Sequence, residues 1–318
     1  MKRIVTLLLS LGLLFAIVYS PDMIAKELKM NLEVHLIDIG QGDSILIKSD
    51  GENMLIDAGT RSSSETVVNY LIEQGVKDLK YVVGTHPHED HIGGLIAVLD
   101  NFNVENIMLP NVLNSTRIFE DLLDTIEKEG LKIEKPVPLN TIALGNAELT
   151  VLAPNSDKYK LVNDYSIVLK LEHGDNSFLF TGDAEKTSEK EMLEAHKSIL
   201  KADVLKAGHH GSYTSSSNEF LDAVDPEYAI MSLASENTYG HPHKSTLENF
   251  DKRGLKVYRT DIDGSIVIKS DGENIEFIKK IVAKGYKELY VALEKNLKNI
   301  KDSFIIKYIT AKVNPENM

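Results

Sequence analysis

One stretch of this chain restricts its fold more than any other: a short apolar strand that ends in a dense cluster of metal-ligand residues. Tyr81–Gly84 reads as a buried strand, and it runs directly into Thr85-His86-Pro87-His88-Glu89-Asp90-His91-Ile92-Gly93-Gly94, which then opens a helix. A surface patch of histidines has no reason to follow a buried strand. Alternate His86 and His88 can converge on one divalent ion, while Asp90 and His91 turn toward a second. Pro87 stiffens the loop, and Gly93-Gly94 lets the backbone pack closely behind it. The chain contains no cysteine, so disulfides, zinc ribbons, thiol nucleophiles and a lipoprotein anchor are excluded. Only His, Asp and Glu remain as ligands.

The other histidines gather in loops of the same kind. Thr181-Gly182-Asp183 ends a strand, and its carboxylate is placed to bridge two ions. Gly208-His209-His210-Gly211-Ser212 follows the strand Val204–Ala207, and Tyr239-Gly240-His241-Pro242-His243 adds two more imidazoles. Of the remaining three histidines, His173 and His196 read as surface residues and His35 lies in a strand; none is given a role.

Hydrophobic periodicity places strands at Val34–Ile39, Ser44–Lys48, Asn53–Asp57, Asn106–Leu109, Glu148–Leu152, Ser166–Glu172, Ser177–Thr181, Tyr228–Ser232, Val257–Arg259 and Ser265–Lys269. Helices are expected at Thr66–Gln74, Leu95–Leu99, Ser188–Leu200 and Asn218–Val224, with Asn111–Phe119 read as a loop. Strands and helices intermixed through one catalytic region fit a layered α/β or α+β domain. The heptapeptide Ile47–Asn53 recurs letter for letter as Ile268–Asn274. It marks either two turns of the same chemistry or two halves of a sandwich, each with its own hairpin.

The ends differ from the body. Lys2 and Arg3 precede an uncharged apolar run from Ile4 to Tyr19, the pattern of an export signal. Residues 1–30 are therefore expected to be a signal peptide or an uncleaved membrane anchor. The domain would lie outside the cytoplasm, secreted or held at the outer face of the membrane. The catalytic domain is expected over 31–275. Residues 276–318 read as a basic amphipathic helical extension, with Tyr286, Tyr290, Leu293, Leu297, Ile300 and Phe304 on one face. The formal net charge of −13 excludes a broadly basic nucleic-acid-binding surface. No feature points to a protein partner.

Several motifs, in order along the chain, carry a resemblance. Asp38-Ile39-Gly40-Gln41-Gly42-Asp43-Ser44, Leu55–Gly59, the His-x-His-x-Asp-His loop, Asn163–Leu169, Gly208–Ser212 and Gly240–His243 resemble the metallo-β-lactamase superfamily. Within it they are similar to the hydrolase domain of ComEC-type DNA-internalisation proteins. The resemblance implies a four-layered αβ/βα sandwich with two divalent ions, Zn or Mn, at its edge, hydrolysing a phosphodiester such as single-stranded DNA. It implies metal ligation by His86, His88, Asp90, His91, Asp183 and His209. It also implies that Asp57 orients a ligand from behind, and that His210 contacts the phosphate or protonates the leaving oxygen. The roles of His209 and His210 are exchangeable at this stage. Asp90 is also counted among the catalytic groups, and Ser166, Ser212, His241 and His243 are assigned to substrate contact. Such transporters carry many membrane spans, whereas one short apolar segment here suggests a free-standing relative. No histidine lies between Ile92 and Glu172, where the superfamily usually supplies one. Water, Asn163 or Asp164 would fill that position, which makes a harder ion such as Mn²⁺ credible beside Zn²⁺.

Overall fold

The computed structural model describes residues 32–279, so the segments 1–30 and 280–318 discussed above lie outside the described residues. Fifteen strands form two sheets. The first contains β1 (Leu32–Leu36), β2 (Ser44–Ser49), β3 (Glu52–Ala58), β4 (Asp78–Val83), β5 (Asn103–Met108), β6 (Ile133–Glu134), β14 (Ile266–Ser270) and β15 (Ile275–Lys279), in the order β15-β14-β1-β2-β3-β4-β5-β6. The second contains β7 (Thr141–Leu144), β8 (Ala147–Ala153), β9 (Val168–His173), β10 (Asn176–Phe180), β11 (Val204–Lys206), β12 (Tyr228–Met231) and β13 (Lys256–Arg259), ordered from β13 to β7.

Strand periodicity of two explains the layers. Leu32, Val34 and Leu36, with Ile45, Ile47, Met54 and Ile56, face Leu169, Leu171, Phe178 and Phe180 across the space between the sheets. The alternate residues Leu46 and Leu55 point outward, onto α1 (Ser64–Glu73), α2 (Glu89–Ile92), α3 (Leu95–Asn101) and α4 (Arg117–Lys128). Val168, Leu179 and Leu205 likewise face α5 (Lys186–His196), α6 (Asn218–Val224) and α7 (Lys244–Lys252). Burying each such side chain contributes about 1.5–3 kcal/mol. The result is the αβ/βα sandwich anticipated from the sequence.

Three details depart from the sequence reading. Arg117–Lys128 is a helix that begins inside the segment read as a loop, with Phe119, Leu122 and Ile126 buried. The two copies of the heptapeptide lie in one sheet rather than in two halves. β2 and β14 flank β1, so Lys48 and Lys269 both stand opposite Glu33. Identical sequence even makes different turns. The first closes at Asp50-Gly51 with φ of 47° and 85°. The second opens over residues 271–274, where Asp271 Oδ1 accepts the Glu273 and Asn274 N–H groups. Finally, β15 carries the sheet to Lys279, beyond the boundary drawn at 275.

Strands β3, β4 and β5 run parallel, as do β10 to β13. Their C-terminal ends meet at one edge of the sandwich, so the loops at 84–91, 181–183, 207–212 and 232–243 emerge together.

Candidate metal centre

Four of those loops and the 37–43 loop build one buried cluster. Asp183 lies at its middle. His91 Nε2 stands 3.3 Å from Asp183 Oδ2, His86 Nε2 3.8 Å from the same oxygen, and His210 Nε2 3.5 Å from Asp183 Oδ1. His210 Nε2 is also 3.5 Å from Asp90 Oδ2, and His86 Nε2 is 2.9 Å from His88 Nδ1.

The orienting contacts fix which ring nitrogen faces inward. Asp57, fully buried, accepts from His91 Nδ1, Thr85 N–H and Thr85 Oγ1–H, each at 2.7 Å. His210 Nδ1 donates to the Ser232 carbonyl at 2.8 Å. His86 Nδ1 meets Thr85 Oγ1 at 3.2 Å. In each ring one nitrogen is held by the scaffold and Nε2 is left facing the cluster, the arrangement that sets ligand tautomers in metal sites.

The residues fit divalent ions. His91 Nε2, His210 Nε2 and Asp183 Oδ1 are buried and have no hydrogen-bond partner among the described residues, yet they converge. Nitrogen and oxygen ligands about 2.0–2.2 Å from a tetrahedral ion stand about 3.3–3.6 Å apart, close to the separations above. The side chains form overlapping ligand groups, including His86, His91 and Asp183, and Asp90, His91 and His210. The electrostatics agree. Burial opposes charge on His91 and His210, but the carboxylates around them, Asp183 foremost, outweigh it and push both well above the ordinary histidine range. Burial would likewise raise Asp183, but His210 and His91 hold it well below the carboxylate range. His86 is pushed well below the ordinary value by burial and then by His91. The cluster attracts positive charge at its centre while keeping a neutral imidazole at one side.

The backbone is bent to achieve this. Asp57, His209 and His210 adopt left-handed φ of 57°, 47° and 53°, uncommon for residues with a Cβ. Gly42, at φ 119°, lets the 37–43 loop approach the ligand loop: a Cβ there would lie 2.1 Å from the Asp90 carbonyl oxygen. Asp43 N–H donates to that same oxygen at 3.1 Å.

The sequence reading needs revision at several residues. The geometry turns His210, fully buried, into the cluster, whereas His209 lies at the rim. His209 Nε2 is 3.8 Å from Asp183 Oδ2, and its Nδ1 is 3.0 Å from Glu185 Oε1. The expected positions of the two histidines are therefore exchanged, with His209 turned outward and His210 inward across two consecutive left-handed residues. Ser166 was expected to contact substrate, but it is fully buried and its hydroxyl accepts the Asp183 N–H at 3.1 Å. Ser212 is also buried and bonds Thr214 at 2.9 Å, within its own loop. Asp164 cannot fill the first site, since its Oδ1 accepts the Glu185 and Ser188 N–H groups at the start of α5. Asn163 lies beside His209 at 3.4 Å, its Nδ2 donating to Glu185 Oε1 at 2.9 Å. His173 and His196 are buried rather than superficial, bonded to Ser270 Oγ and Asn155 Oδ1 at 2.8 Å each.

Other residues escaped the sequence reading. Lys206, 1% exposed, pairs with Asp43 and donates to the Gly182 carbonyl at 3.0 Å. Asp43 also lies 3.5 Å from His210 Nδ1 and 3.9 Å from His91 Nδ1, behind both ligands. The sole signal was a lone lysine within the apolar strand Val204–Ala207. A cavity of about 380 Å³ opens over the cluster, lined by Gln41, Thr60, His88, His209, Tyr239 and His241 among others. Gln41 Nε2 and His241 Nδ1 are buried without partners among the described residues. Burial, then the neighbouring His209, pushes His241 down to about 4.

This fold and this cluster define a metal-dependent hydrolase, and the chain belongs to the metallo-β-lactamase superfamily, whose pattern matches residues 37–235. Among curated proteins, ComE operon protein 3 of Bacillus subtilis (strain 168) is 33% identical over 252 residues, covering 74% of this chain and 32% of that protein. Competence protein ComA of Neisseria gonorrhoeae is 30% identical over 252 residues, covering 78% of this chain and 33% of that protein. The chain thus spans about a third of the length of these relatives. Among solved structures, the metallo-β-lactamase fold protein YhfI from Bacillus subtilis superposes with a TM-score of 0.53 at 14% identity, over 76% of this chain and all of YhfI. That likeness concerns the fold alone.

Proposed function

We propose that the protein is a phosphodiesterase or nuclease that uses a dinuclear site of Zn or Mn. The observation that carries this is the convergence of His91 Nε2, His210 Nε2 and Asp183 Oδ1, buried and unpartnered, beneath an open polar cavity. His86 and His88 would hold one ion and Asp90, His91 and His210 the other, with Asp183 between them. Ions bound there supply Lewis acidity and bring the pKa of water down to about 7. The protein's own groups do the rest. Asp57 and the Ser232 carbonyl fix the ligand tautomers. Gln41 Nε2–H can donate to a non-bridging phosphate oxygen, and neutral His241 can do so through Nδ1. His209, oriented by Glu185 at the rim, is placed to deliver a proton to the leaving oxygen.

Phosphorus rather than carbonyl carbon is favoured by the donor-rich cavity and by relatives named as competence proteins. Export of the domain, by secretion or through an N-terminal anchor, belongs to the same reading. Fusing residues 1–30 to a reporter active only outside the cytoplasm tests it. The catalytic reading is tested with bis(p-nitrophenyl) phosphate and single-stranded DNA in Zn²⁺ or Mn²⁺, with His86→Ala and Asp90→Ala as inactive controls. Cleavage of a β-lactam or thioester with every phosphodiester left intact would sink it.

A further inference from the structure

Four aromatic rings form an unbroken row from the metal cavity to a second cavity. Tyr239 lines the first and stacks on His241, with centroids 5.6 Å apart and planes at 22°. His241 meets His243 at 4.9 Å, and His243 meets Tyr213 edge to face at 4.7 Å. Tyr213 lines the second cavity, of about 500 Å³, together with Ser215, Ser217, Asn218, Lys186 and Lys252. The outer rings of the row are open, Tyr239 being 62% and Tyr213 58% exposed, while His241 between them is 8% exposed.

The row is rigid. Asn237 clamps His241, accepting its N–H at 2.9 Å and donating to its carbonyl at 2.6 Å. Tyr213 N–H donates to His243 Nδ1 at 3.3 Å. Below the second cavity, buried Glu189 accepts the N–H groups of Ser216 and Ser217 at 2.5 and 3.0 Å. A single exposed tyrosine is unremarkable on a protein surface. Two open rings, each seated on an imidazole and flanking a metal cleft, give flat faces of fixed orientation that contribute nothing to the core. The lysines beyond them, Lys186 and Lys252, are exposed and form no ion pair among the described residues. They share the second cavity with Glu219 and Glu248, the latter paired with Lys244 at 3.2 Å.

We infer that Tyr239 and Tyr213 are base-stacking residues for a single-stranded nucleic acid that lies across the metal cleft. The inference rests on the phosphodiester reading above and names its substrate class. Aromatic faces stack on any base whatever its identity, so the site selects single strands and tolerates any sequence. A duplex, with its bases already stacked inside, offers these rings nothing.

The test is binding of a short labelled oligothymidylate to the full chain in EDTA at low salt, followed by fluorescence anisotropy. Tyr213→Ala and Tyr239→Ala should each weaken binding about five-fold or more, and Tyr→Phe at either position should restore it. A strand of equal length with abasic sites should bind the wild type as weakly as the thymidylate binds the alanine variants. Unchanged affinity in both alanine variants, or equal affinity for the abasic strand or a duplex, overturns the inference. Hydrolysis of bis(p-nitrophenyl) phosphate by the wild type is measured separately. Hydrolysis without tyrosine-dependent strand binding overturns the stacking role alone; tyrosine-dependent binding without hydrolysis in either metal supports stacking and refutes the catalytic reading.

Discussion

Asp57→Asn isolates the orienting contact behind His91. The side chain is fully buried behind His91 and accepts three hydrogen bonds of 2.7 Å, two from Thr85 and one from His91 Nδ1. Asparagine keeps the volume and tolerates the left-handed φ of 57°, so neither packing nor backbone should suffer. It has only one acceptor oxygen, and its amide nitrogen can only donate. Placed opposite the Thr85 hydroxyl and His91 Nδ1–H, that nitrogen brings donor against donor. The least costly relief moves the His91 proton to Nε2, where it points at Asp183 and blocks ligation. Loss of such a supporting contact typically weakens metal binding ten- to a hundred-fold, about 1.4–2.7 kcal/mol. At metal concentrations well above Kd the stabilisation by metal falls by the same amount. With about 2–4 °C of midpoint per kcal/mol for a domain of this size, the metal-induced rise in Tm should shrink by about 3–10 °C. The assay is a pair of melting curves, with EDTA and with Zn²⁺, beside a direct metal titration. If Asp57→Asn binds metal with wild-type affinity and retains the full rise, packing alone holds His91 and the tautomer argument fails.

His210→Ala should lose bound metal while His209→Ala keeps it and loses turnover, as read by elemental analysis and hydrolysis of a small diester; the reverse pattern would restore the assignment made from sequence. Gly42→Ala should destabilise the fold and weaken metal binding together, since its Cβ would lie 2.1 Å from the Asp90 carbonyl oxygen; chemical denaturation and metal titration read both effects. Lys206→Met should cost about 3–5 kcal/mol in urea unfolding by leaving Asp43 buried without its partner, and adding Asp43→Asn should recover much of the loss. Glu33 is held at about 2, against an ordinary 4.5, by its hydrogen bond with His35. Its contribution is therefore present above the unfolded value and lost as pH falls from about 4.5 toward 2, so Glu33→Gln should flatten that limb of the acid-unfolding curve.

The sequence revealed what is local and concealed what is assembled. The His86–His91 loop and the helix Asn218–Val224 were legible because ligand spacing and hydrophobic periodicity are written in neighbouring residues. The helix Arg117–Lys128 shows Phe119, Leu122 and Ile126 at helical spacing, but it starts within a stretch that read as a polar loop, and its N-cap Thr116 makes no capping bond. The choice between His209 and His210 could not be read at all. It depends on two consecutive left-handed residues, which only the surrounding packing enforces. The partnership of Lys206 with Asp43 crosses from one sheet to the other, and nothing beside either residue announces it. The requirement for metal is also a property of the assembly. Asp43, Asp57 and Asp183 are buried, Asp90 borders the cavity, and each comes from a different segment of the chain. Lys206 supplies one positive charge within that group. Buried carboxylates left unneutralised carry a large desolvation cost, and here the unpartnered Nε2 atoms of His91 and His210 face the same space. Further protons could balance the charge but would occupy those nitrogens, whereas divalent ions satisfy the carboxylates and the imidazole lone pairs together.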